Sequence, residues 1–176
     1  CAMKDGRSVA TTMGFSPLDG PMMSTRCGAL DPGILLHLMR EKEMTPDALQ
    51  TLLYKQSGLL GVSGISGDMQ VLLDSDDPRA REAVDLFVLG IARHIGSLAG
   101  ALGGLDTLVF TAGIGENAPA VREWIGKAAS WLGVSVDPDR NTAGDERIAP
   151  DGSPVRVLMI PTNEEKAVVR GMVGLL

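Results

Sequence analysis

The stretch that decides the fold is residues 106–119, with the sequence DTLVFTAGIGENAP. Thr107–Thr111 is a short run of β-branched, leucine and aromatic residues, which predicts a buried strand. Gly113 and Gly115 follow it and predict a tight loop, because glycine adopts positive φ freely and lets a ligand approach the backbone closely. The segment therefore predicts a strand that ends in a glycine loop.

A helix should begin directly after this loop. Asn117 is a favoured N-cap residue, and Pro119 is tolerated in a first helical turn. Free N–H groups and the dipole at a helix N-terminus favour anions, so the pattern suits a nucleotide phosphate. It is equally typical of a plain turn, and its spacing differs from the dinucleotide-binding G-x-G-x-x-G.

Composition limits the classes of function. The chain has 176 residues, of which 44% are hydrophobic and 22% charged, as expected for a globular domain with a core. Its net charge of −6 and lack of a lysine and arginine cluster predict no nucleic-acid partner and no anionic membrane surface. No run of about 20 apolar residues is evident, which also argues against a membrane span. The two cysteines, Cys1 and Cys27, lack ligand spacing and indicate a reducing, cytoplasmic setting.

The first part of the chain predicts a hairpin, a long loop and two helices. Cys1–Met3 and Ser8–Thr12 flank a turn at Asp5-Gly6. Residues 13–28 are rich in glycine and proline, and an ordered loop of this length is often functional. It contains a single basic residue, Arg26, for which a solvated surface role is equally plausible from spacing alone. Helix-start signals then predict helices over Pro32–Lys42 and Pro46–Gln56.

The middle of the chain predicts a flexible segment and a long helix. Leu59–Asp68 contains three glycines and two serines and is typical of either a linker or a nucleotide-facing loop. Asp68–Leu73 is a candidate short helix. Asp77-Pro78 begins a helix to about Ala101, which should be buried because residues 86–92 are apolar nearly all round. His94 on this helix is interpreted as structural rather than catalytic. His37, in the helix predicted over Pro32–Lys42, is interpreted in the same way.

The second half alternates strands and helices. A helix is predicted over Ala118–Leu132, a surface loop over Asp137–Pro154, a strand over Val155–Ile160, and a helix from Asn163 to the end. Such alternation predicts an α/β architecture with parallel strands, and ligands bind such sheets outside the carboxyl ends of the strands. GIGEN (113–117) and TNEE (162–165) both follow strands, so two loops should meet at one edge.

One carboxylate in the second loop lacks an assigned structural role. Thr162 and Glu165 match a capping box, which leaves Glu164 without a local partner. It is a candidate for contact with Mg²⁺ or water. A solvated first-turn glutamate is an equally good interpretation from local sequence.

Four segments together resemble the acetate kinase family, which includes acetate and propionate kinases. They are TTMGFSPLDGPMMSTRCGALDP (11–32), GISGDMQ (64–70), FTAGIGENAPAVRE (110–123) and IPTNEE (160–165), in the order that family has them. The resemblance implies a ribonuclease-H-like α/β fold of the actin-like and sugar-kinase ATPase superfamily, with a mixed sheet flanked by helices. Residues 1–176 would form most of the C-terminal domain of a two-domain kinase, which binds nucleotide and mediates dimerisation.

The resemblance also implies an activity and roles for individual residues. The activity is phosphoryl transfer between ATP and a short-chain carboxylate, assisted by Mg²⁺, in a cytoplasmic homodimer. Arg26 matches the catalytic arginine of the family, and Glu164 matches its Mg²⁺ glutamate. The adenosine-binding residues are implied to be Asp68, Met69 and Gln70 in one segment, and Gly113, Ile114, Gly115, Glu116 and Asn117 in the other.

Two departures from the family pattern affect these expectations. Gln70 stands where an arginine that packs on adenine is expected, so the flat charged stacking surface is lost. The H-x-G-N-G phosphate loop and the N-terminal domain of the family are expected before Cys1. Because transfer in the family needs both walls of the cleft, the chain alone is predicted to be nearly inactive.

Two rival interpretations remain open at this stage. One is a sugar kinase of the same superfamily, and the other is a non-catalytic nucleotide-binding or dimerisation module. The sequence does not separate acetate from propionate or butyrate, since one methylene is worth only about 1–3 kcal/mol in a binding pocket.

Overall fold

The structure is a computed structural model that describes residues 1–163 and 165. The chain forms two compact units, Cys1–Leu105 and Asp106–Leu176. The helix predicted from Asn163 to the end lies outside the described residues, apart from Asn163 and Glu165.

The first unit begins with the predicted hairpin. Strands β1 (Ala2–Lys4) and β2 (Arg7–Ala10) pair antiparallel. The turn residues Asp5 and Gly6 have φ values of 51° and 73°. Two successive positive φ values are typical of the type I′ turn that Asp-Gly favours, so the sequence signal is confirmed.

Five helices complete the first unit, and most of them begin where the sequence predicts. They are α1 (Pro32–Glu41), α2 (Pro46–Lys55), α3 (Gly58–Ser63), α4 (Met69–Leu73) and α5 (Pro78–Leu102). The side chains of four N-cap residues accept a backbone N–H from the first turn: Asp31, Thr45, Asp68 and Asp77. These caps satisfy N–H groups that lack a partner within the helix. Cap residues are therefore preferred at helix starts, and the start positions can be predicted from the sequence.

The flexible segment predicted over Leu59–Asp68 is wrong in its first half. Residues 58–63 form helix α3, which ends at Gly64 with φ 63°. Leu59 is fully buried, and the buried Ser63 accepts the backbone N–H groups of Ile65 and Ser66. Burial of the leucine and local hydrogen bonding therefore order a segment whose composition suggested a linker.

Helix α5 is the longest element, as predicted, but it is not buried all round. Its buried residues are Ala80, Ala83, Val84, Phe87 and Ala99. Leu86 and Leu89 are 46% and 56% exposed, so the expectation of a fully buried stretch over residues 86–92 is wrong. Helical periodicity turns these two leucines away from the face that contacts α3, α4 and the hairpin.

Helix α5 also bears on the expectation that no segment could cross a membrane. By length and composition alone it is long and apolar enough to do so. This is weak support for a membrane span, because core helices of soluble proteins meet the same criterion. In this structure α5 packs against α3, α4 and the hairpin of the first unit.

The second unit is built on two parallel strands. Strand β3 (Thr107–Phe110) pairs with β4 (Arg156–Met159), and Phe110 lies opposite Met159 in the register. The helices of this unit are α6 (Ala112–Asn117), α7 (Pro119–Ala128) and α8 (Pro138–Ala143), with a 3-10 turn at Ser130–Leu132. The predicted strands and the parallel arrangement are confirmed.

The surface loop predicted over Asp137–Pro154 is wrong in part. Asp137 caps helix α8 by accepting the backbone N–H groups of Asp139 and Arg140. Ile148 is fully buried, and its backbone N–H donates a hydrogen bond to the carbonyl oxygen of Val157 in β4. The polar composition concealed a segment that packs on the edge of the strand pair.

The core of the second unit is mainly aliphatic. Its most buried apolar residues are Val121, Ile125, Ala129, Val134, Ile148, Ala149, Val155 and Val157. Ala128 on α7 is exposed. The core supports β3 and β4 and so fixes the positions at which both strands end.

Candidate nucleotide-loop site

The two loops that follow β3 and β4 meet, as the sequence predicts. Parallel strands end at the same edge of a sheet, so the segment after Phe110 lies beside the segment after Met159. The backbone N–H of Ile160 donates to the carbonyl oxygen of Phe110 over 2.9 Å. Both candidate loops therefore begin at one edge of the second unit.

Glu116 joins the two loops through its side chain. Its Oε1 accepts the backbone N–H of Ala112 over 2.6 Å and that of Thr162 over 2.8 Å. These hydrogen bonds, led by the one from Thr162, hold the pKa of the Glu116 carboxyl below its usual value of 4.5. We call Glu116 with its two N–H donors the loop clasp.

Two threonine hydroxyls reinforce the loop clasp. The hydroxyls of Thr111 and Thr162 are 2.7 Å apart, and Thr162 Oγ1 also accepts the backbone N–H of Ala112 over 3.1 Å. Thr162 thus bonds across to the other loop. The capping box of Thr162 with Glu165 stays a prediction, because the helix that it would begin lies outside the described residues. A residue's contact across a sheet edge cannot be inferred from spacing within one segment.

The glycine loop differs from its prediction in two ways. Residues 112–117 form the short helix α6, and the positive φ of 59° falls on Ala112 rather than on Gly113 or Gly115. Asn117 is the last residue of α6 and donates from Nδ2 to the Gly113 carbonyl oxygen over 2.9 Å, so it is not the N-cap of α7. Local side-chain bonding closes the turn that was expected to open a helix.

An open pocket of about 620 Å³ lies beside the loop clasp. Its lining is mostly polar and comprises Ala112, Gly113, Glu116, Thr162, Asn163 and Glu165. A Cβ added at Gly113 would meet no atom within 4 Å, so the backbone there is open to a ligand. Carboxylate, amide and hydroxyl oxygens of this kind suit a hard cation such as Mg²⁺ when phosphates supply further ligands.

The predicted metal ligand, Glu164, lies outside the described residues. Among residues 1–163 and 165, no group of three or more His, Cys, Asp or Glu side chains is arranged to hold a metal ion. Thr162, Asn163 and Glu165, which flank Glu164 in the sequence, line the pocket beside the loop clasp.

The loop that carries Arg26 belongs to the first unit, and backbone hydrogen bonds hold it. The carbonyl oxygens of Met23, Ser24 and Thr25 accept the N–H groups of Leu59, Leu60 and Ser57, in that order, over 2.9–3.0 Å. The N–H of Cys27 donates to the Leu53 carbonyl oxygen over 3.1 Å. The loop is thus fixed to the end of α2 and the beginning of α3.

Gly58 makes this close approach possible. Its φ is 66°, and a Cβ there would collide with the carbonyl oxygen of Met23 and lie 3.0 Å or less from the backbone N and O of Arg26. Any larger residue would push the loop away from α3.

The Arg26 side chain is half-buried and packs on an aromatic ring. Its guanidinium carbon lies 5.9 Å from the centroid of the Tyr54 ring, within cation–π range. Within the described part of the chain, Arg26 is in none of the ion pairs. Its charge is therefore not neutralised by a carboxylate there.

The second predicted binding segment, residues 68–70, also lies in the first unit and has three different environments. Asp68 is the N-cap of α4 and accepts the Gln70 N–H over 2.8 Å. Met69 is only 6% exposed, so its side chain belongs to the core. Gln70 is exposed, and its Nε2 donates to Asp74 Oδ1 over 3.0 Å.

A second pocket, of about 450 Å³, lies in the first unit. Cys27, Arg93 and His94 are among the residues that line it. Burial raises the pKa of the Cys27 thiol, which disfavours a reactive thiolate. His94 is partly buried and His37 is exposed on α1.

Comparison with known proteins gives a consistent result. The model of the acetokinase family matches residues 1–170. An acetate kinase from Rhodopseudomonas palustris strain TIE-1 is 57% identical over 172 residues, which is 97% of this chain and 43% of the relative.

Solved structures agree with this match. The crystal structure of Porphyromonas gingivalis acetate kinase has a TM-score of 0.92 and 33% identity, over 98% of this chain and 45% of that one. A propionate kinase from Francisella tularensis subsp. tularensis SCHU S4 has a TM-score of 0.87 and 36% identity, over 93% of this chain and 43% of that one. The chain thus spans less than half the length of the proteins it matches.

Proposed function

The chain belongs to the acetokinase family, and we propose that the protein carrying it transfers a phosphoryl group between ATP and a short-chain carboxylate, acetate or propionate, giving ADP and an acyl phosphate. The family match over residues 1–170 carries this proposal. The fold shared with acetate and propionate kinases supports it independently.

The loop at residues 113–117 is proposed to line the adenosine pocket. Support comes from the open backbone at Gly113 and from the polar pocket beside it. Peptide groups and a loop held in one position suit a nucleotide, because phosphoryl transfer depends mainly on alignment and electrostatics. The loop clasp gives this segment that fixed position.

The segment at residues 68–70 is proposed to contribute to adenosine binding through its exposed members. Asp68 and Gln70 are exposed, whereas Met69 packs in the core and would act by fixing α4. Gln70 offers a neutral amide where a guanidinium would stack on the base. We therefore expect nucleotide binding that depends little on a cation at this position.

Mg²⁺ is proposed as the metal, with Glu164 as its protein ligand. The donor set of the neighbouring pocket consists of carboxylate, amide and hydroxyl oxygens, which is the chemistry that Mg²⁺ requires. Bound there, the ion would neutralise charge on the nucleotide phosphates.

Arg26 is proposed as the catalytic arginine. A guanidinium stays protonated at any physiological pH and presents several donors to phosphoryl oxygens. Its half-buried position over Tyr54, without a carboxylate in an ion pair among the described residues, leaves its charge available for a substrate. It would stabilise the charge that develops on the transferred group.

Self-association is also proposed, with α1 as part of the surface. This helix has no buried residue, and Ile34, Leu36 and Met39 on it are 48%, 53% and 44% exposed. Leu86 and Leu89 on α5 add further exposed apolar area. A second copy of the chain would cover such surface, and light scattering of Ile34→Glu beside wild type tests this: the variant should be monomeric.

The enzymatic proposal is tested on the protein expressed with its complete native sequence. Acyl phosphate is trapped as a hydroxamate after incubation with MgATP and acetate, propionate or butyrate, and a hexose serves as the competing acceptor. We expect acyl phosphate from acetate, and a loss of about 100-fold or more in kcat for Arg26→Ala. Arg40→Ala, at an exposed arginine of α1, is the matched control and should retain full rate.

Two results would contradict the proposal. Phosphorylation of the hexose without acyl phosphate would favour a sugar kinase. Nucleotide binding without transfer to any acceptor would favour a non-catalytic binding module. Residues 1–176 expressed alone should bind nucleotide at most and form little acyl phosphate, since they span 43% of the length of the Rhodopseudomonas palustris relative.

A further inference from the structure

Arg122 on α7 is the one charged side chain that is fully buried in the described part of the chain. It is 1% exposed, and it lies in the core of the second unit beside Val121 and Ile125. Helical spacing places position 122 on the inner face of α7, but an arginine is rarely fully buried. Its burial therefore requires an explanation beyond packing.

The guanidinium is held by neutral acceptors on two other helices. Its NH1 group donates to the carbonyl oxygens of Gly115 and Glu116, at the end of α6, over 3.0 and 2.8 Å. Its Nε donates to Asn141 Oδ1 and its NH2 group to the Asn141 carbonyl oxygen, both over 2.7 Å. Asn141 Nδ2 in turn donates to the Pro119 carbonyl oxygen over 2.9 Å.

Burying Arg122 costs free energy, but it also places the donors of the guanidinium in fixed positions. Removing a cation from water is unfavourable, and no carboxylate pairs with Arg122 among the described residues. An apolar residue of similar volume would fill the core without that penalty, as replacement of other buried ions shows. The arginine supplies something an apolar side chain cannot, which is a fixed set of donors aimed at the backbone of α6.

That backbone belongs to the loop of the candidate site. Arg122 binds the main-chain oxygen of Glu116, and the side chain of Glu116 forms the loop clasp to Ala112 and Thr162. The same residue is therefore held from the core by Arg122 and from the sheet edge by Thr162. Movement of its backbone would displace both the clasp and the open face at Gly113.

We propose that Arg122 is a positioning residue for nucleotide binding, which fixes α6 from behind so that residues 112–117 present one conformation to the nucleotide. This inference rests on the proposed function, because it assumes that α6 faces a nucleotide. Arg122 itself, being buried, contacts no ligand and acts through α6.

The test compares Arg122→Lys with Ile148→Ala in the protein expressed with its complete native sequence. Lysine keeps the charge but has one donor group in place of three, so it cannot reach Asn141 and both α6 carbonyl groups. Ile148 is buried in the same unit and its side chain makes no hydrogen bond, so it reports destabilisation alone. Dissociation constants for MgADP are measured by calorimetry at a temperature where circular dichroism shows both variants folded.

We expect Arg122→Lys to raise the dissociation constant about tenfold and to speed hydrogen exchange in residues 112–117. Ile148→Ala should lower the midpoint of thermal unfolding but leave the dissociation constant within about twofold of wild type. Equal dissociation constants for wild type and Arg122→Lys would overturn the inference. An equal rise in both variants would also overturn it, because destabilisation would then be the cause.

A second pair keeps the inference testable if Arg122→Lys does not fold. Asn141→Asp retains the acceptor for Arg122 Nε and should preserve nucleotide affinity, whereas Asn141→Leu removes that acceptor and should weaken it. Equal affinities for these two variants would overturn the inference. Absence of MgADP binding by wild type is a distinct outcome, which contradicts the proposed function and removes the premise of the inference.

Discussion

The Arg26 loop in the first unit and the proposed nucleotide loop in the second, residues 112–117, are both held by hydrogen bonds, but from different groups. Backbone hydrogen bonds to α2 and α3 fix the Arg26 loop, and Gly58 permits the approach. Side chains fix the nucleotide loop, chiefly the carboxylate of Glu116 and the guanidinium of Arg122. The conformation of the Arg26 loop depends on the space left by Gly58, whereas that of the nucleotide loop depends on charged side chains.

This difference determines how each region should fail. A loop that relies on backbone contacts is insensitive to pH and to most side-chain changes, but it does not tolerate added volume at the contact point. A loop held by a carboxylate and a guanidinium tolerates changes of volume better, but it depends on their charge and hydrogen-bonding geometry.

The largest effect is expected from Gly58→Ala, which tests dependence on space. The new Cβ would collide with backbone atoms of Met23 and Arg26 and would be held at a φ of 66°, so the loop must shift. We expect a loss of about 2–4 kcal/mol in the free energy of unfolding and a fall of about 100-fold in kcat for acyl phosphate formation. Urea unfolding and the hydroxamate assay measure the two quantities.

Gly64→Ala is the matched control for this substitution. Gly64 has a φ of 63°, but a Cβ there would come no closer than 3.8 Å to Arg79 NH1. It should therefore cost only the left-handed conformation, about 1–2 kcal/mol, and leave kcat unchanged. If both variants lose activity equally, backbone strain rather than collision with the Arg26 loop explains the effect.

The next largest effect is expected from Glu116→Ala, which removes the loop clasp. The N–H of Ala112 keeps its bond to Thr162 Oγ1, but the N–H of Thr162 loses its acceptor. We expect the dissociation constant for MgADP to rise about tenfold, because the two loops are no longer joined by a charged acceptor. Glu123→Ala, an exposed glutamate of α7, should show wild-type affinity in the same calorimetric titration.

A smaller effect is expected from acidic pH, which should weaken the contacts that hold the nucleotide loop but not those that hold the Arg26 loop. The hydrogen bonds of Glu116 lower its pKa in the folded protein below 4.5, so its ionised form stabilises the folded state above that pH. This contribution is lost as the pH falls through the lowered pKa. The difference in stability between wild type and Glu116→Gln should therefore shrink below about pH 4.5.

Chemical unfolding of both proteins between about pH 3 and 7 measures this difference. Since the amide side chain of the Glu116→Gln variant does not titrate, a constant difference over the whole range would show that the charge of Glu116 contributes nothing. Gly58→Ala measured in parallel should show a difference from wild type that does not vary with pH.

The smallest effect is expected from Tyr54→Leu, which removes the ring beneath Arg26. A partly exposed cation–π contact is worth about 0.5–1 kcal/mol, so kcat should fall only about two- to fivefold. Tyr54→Phe keeps the ring and should retain the wild-type rate. A loss as large as that of Gly58→Ala would mean that the side chain, and not the backbone, holds the Arg26 loop.

The accuracy of the sequence predictions follows the range of the interactions concerned. The hairpin turn at Asp5-Gly6 and the helix starts at Asp31 and Asp77 were predicted correctly because each signal acts within a few residues. The flexible segment near Leu59 and the loop near Ile148 were wrong, because both side chains are fully buried and burial depends on packing between elements, such as that of α3 against α5. Composition reports polarity and carries no information on which distant surface will cover a residue.

The predictions for the candidate site were likewise correct for some features and missed others. The meeting of the loops after β3 and β4 followed from parallel strands, and it was confirmed. The role of Glu116 as a clasp was missed, as was the burial of Arg122. Each has one partner that is distant in sequence: Thr162 is 46 residues from Glu116, and Asn141 is 19 residues from Arg122.

The sequence by itself determined the family, the parallel strand pair and the order of most helices, because motifs, caps and strand runs are local and are read without knowing the packing. Only the tertiary structure decided that Ala112 rather than glycine takes the positive φ, that Gly58 admits the Arg26 loop, and that a buried arginine holds α6. These features depend on close approach between segments far apart in the chain. Steric exclusion and the cost of burying a charge act only once those segments are brought together.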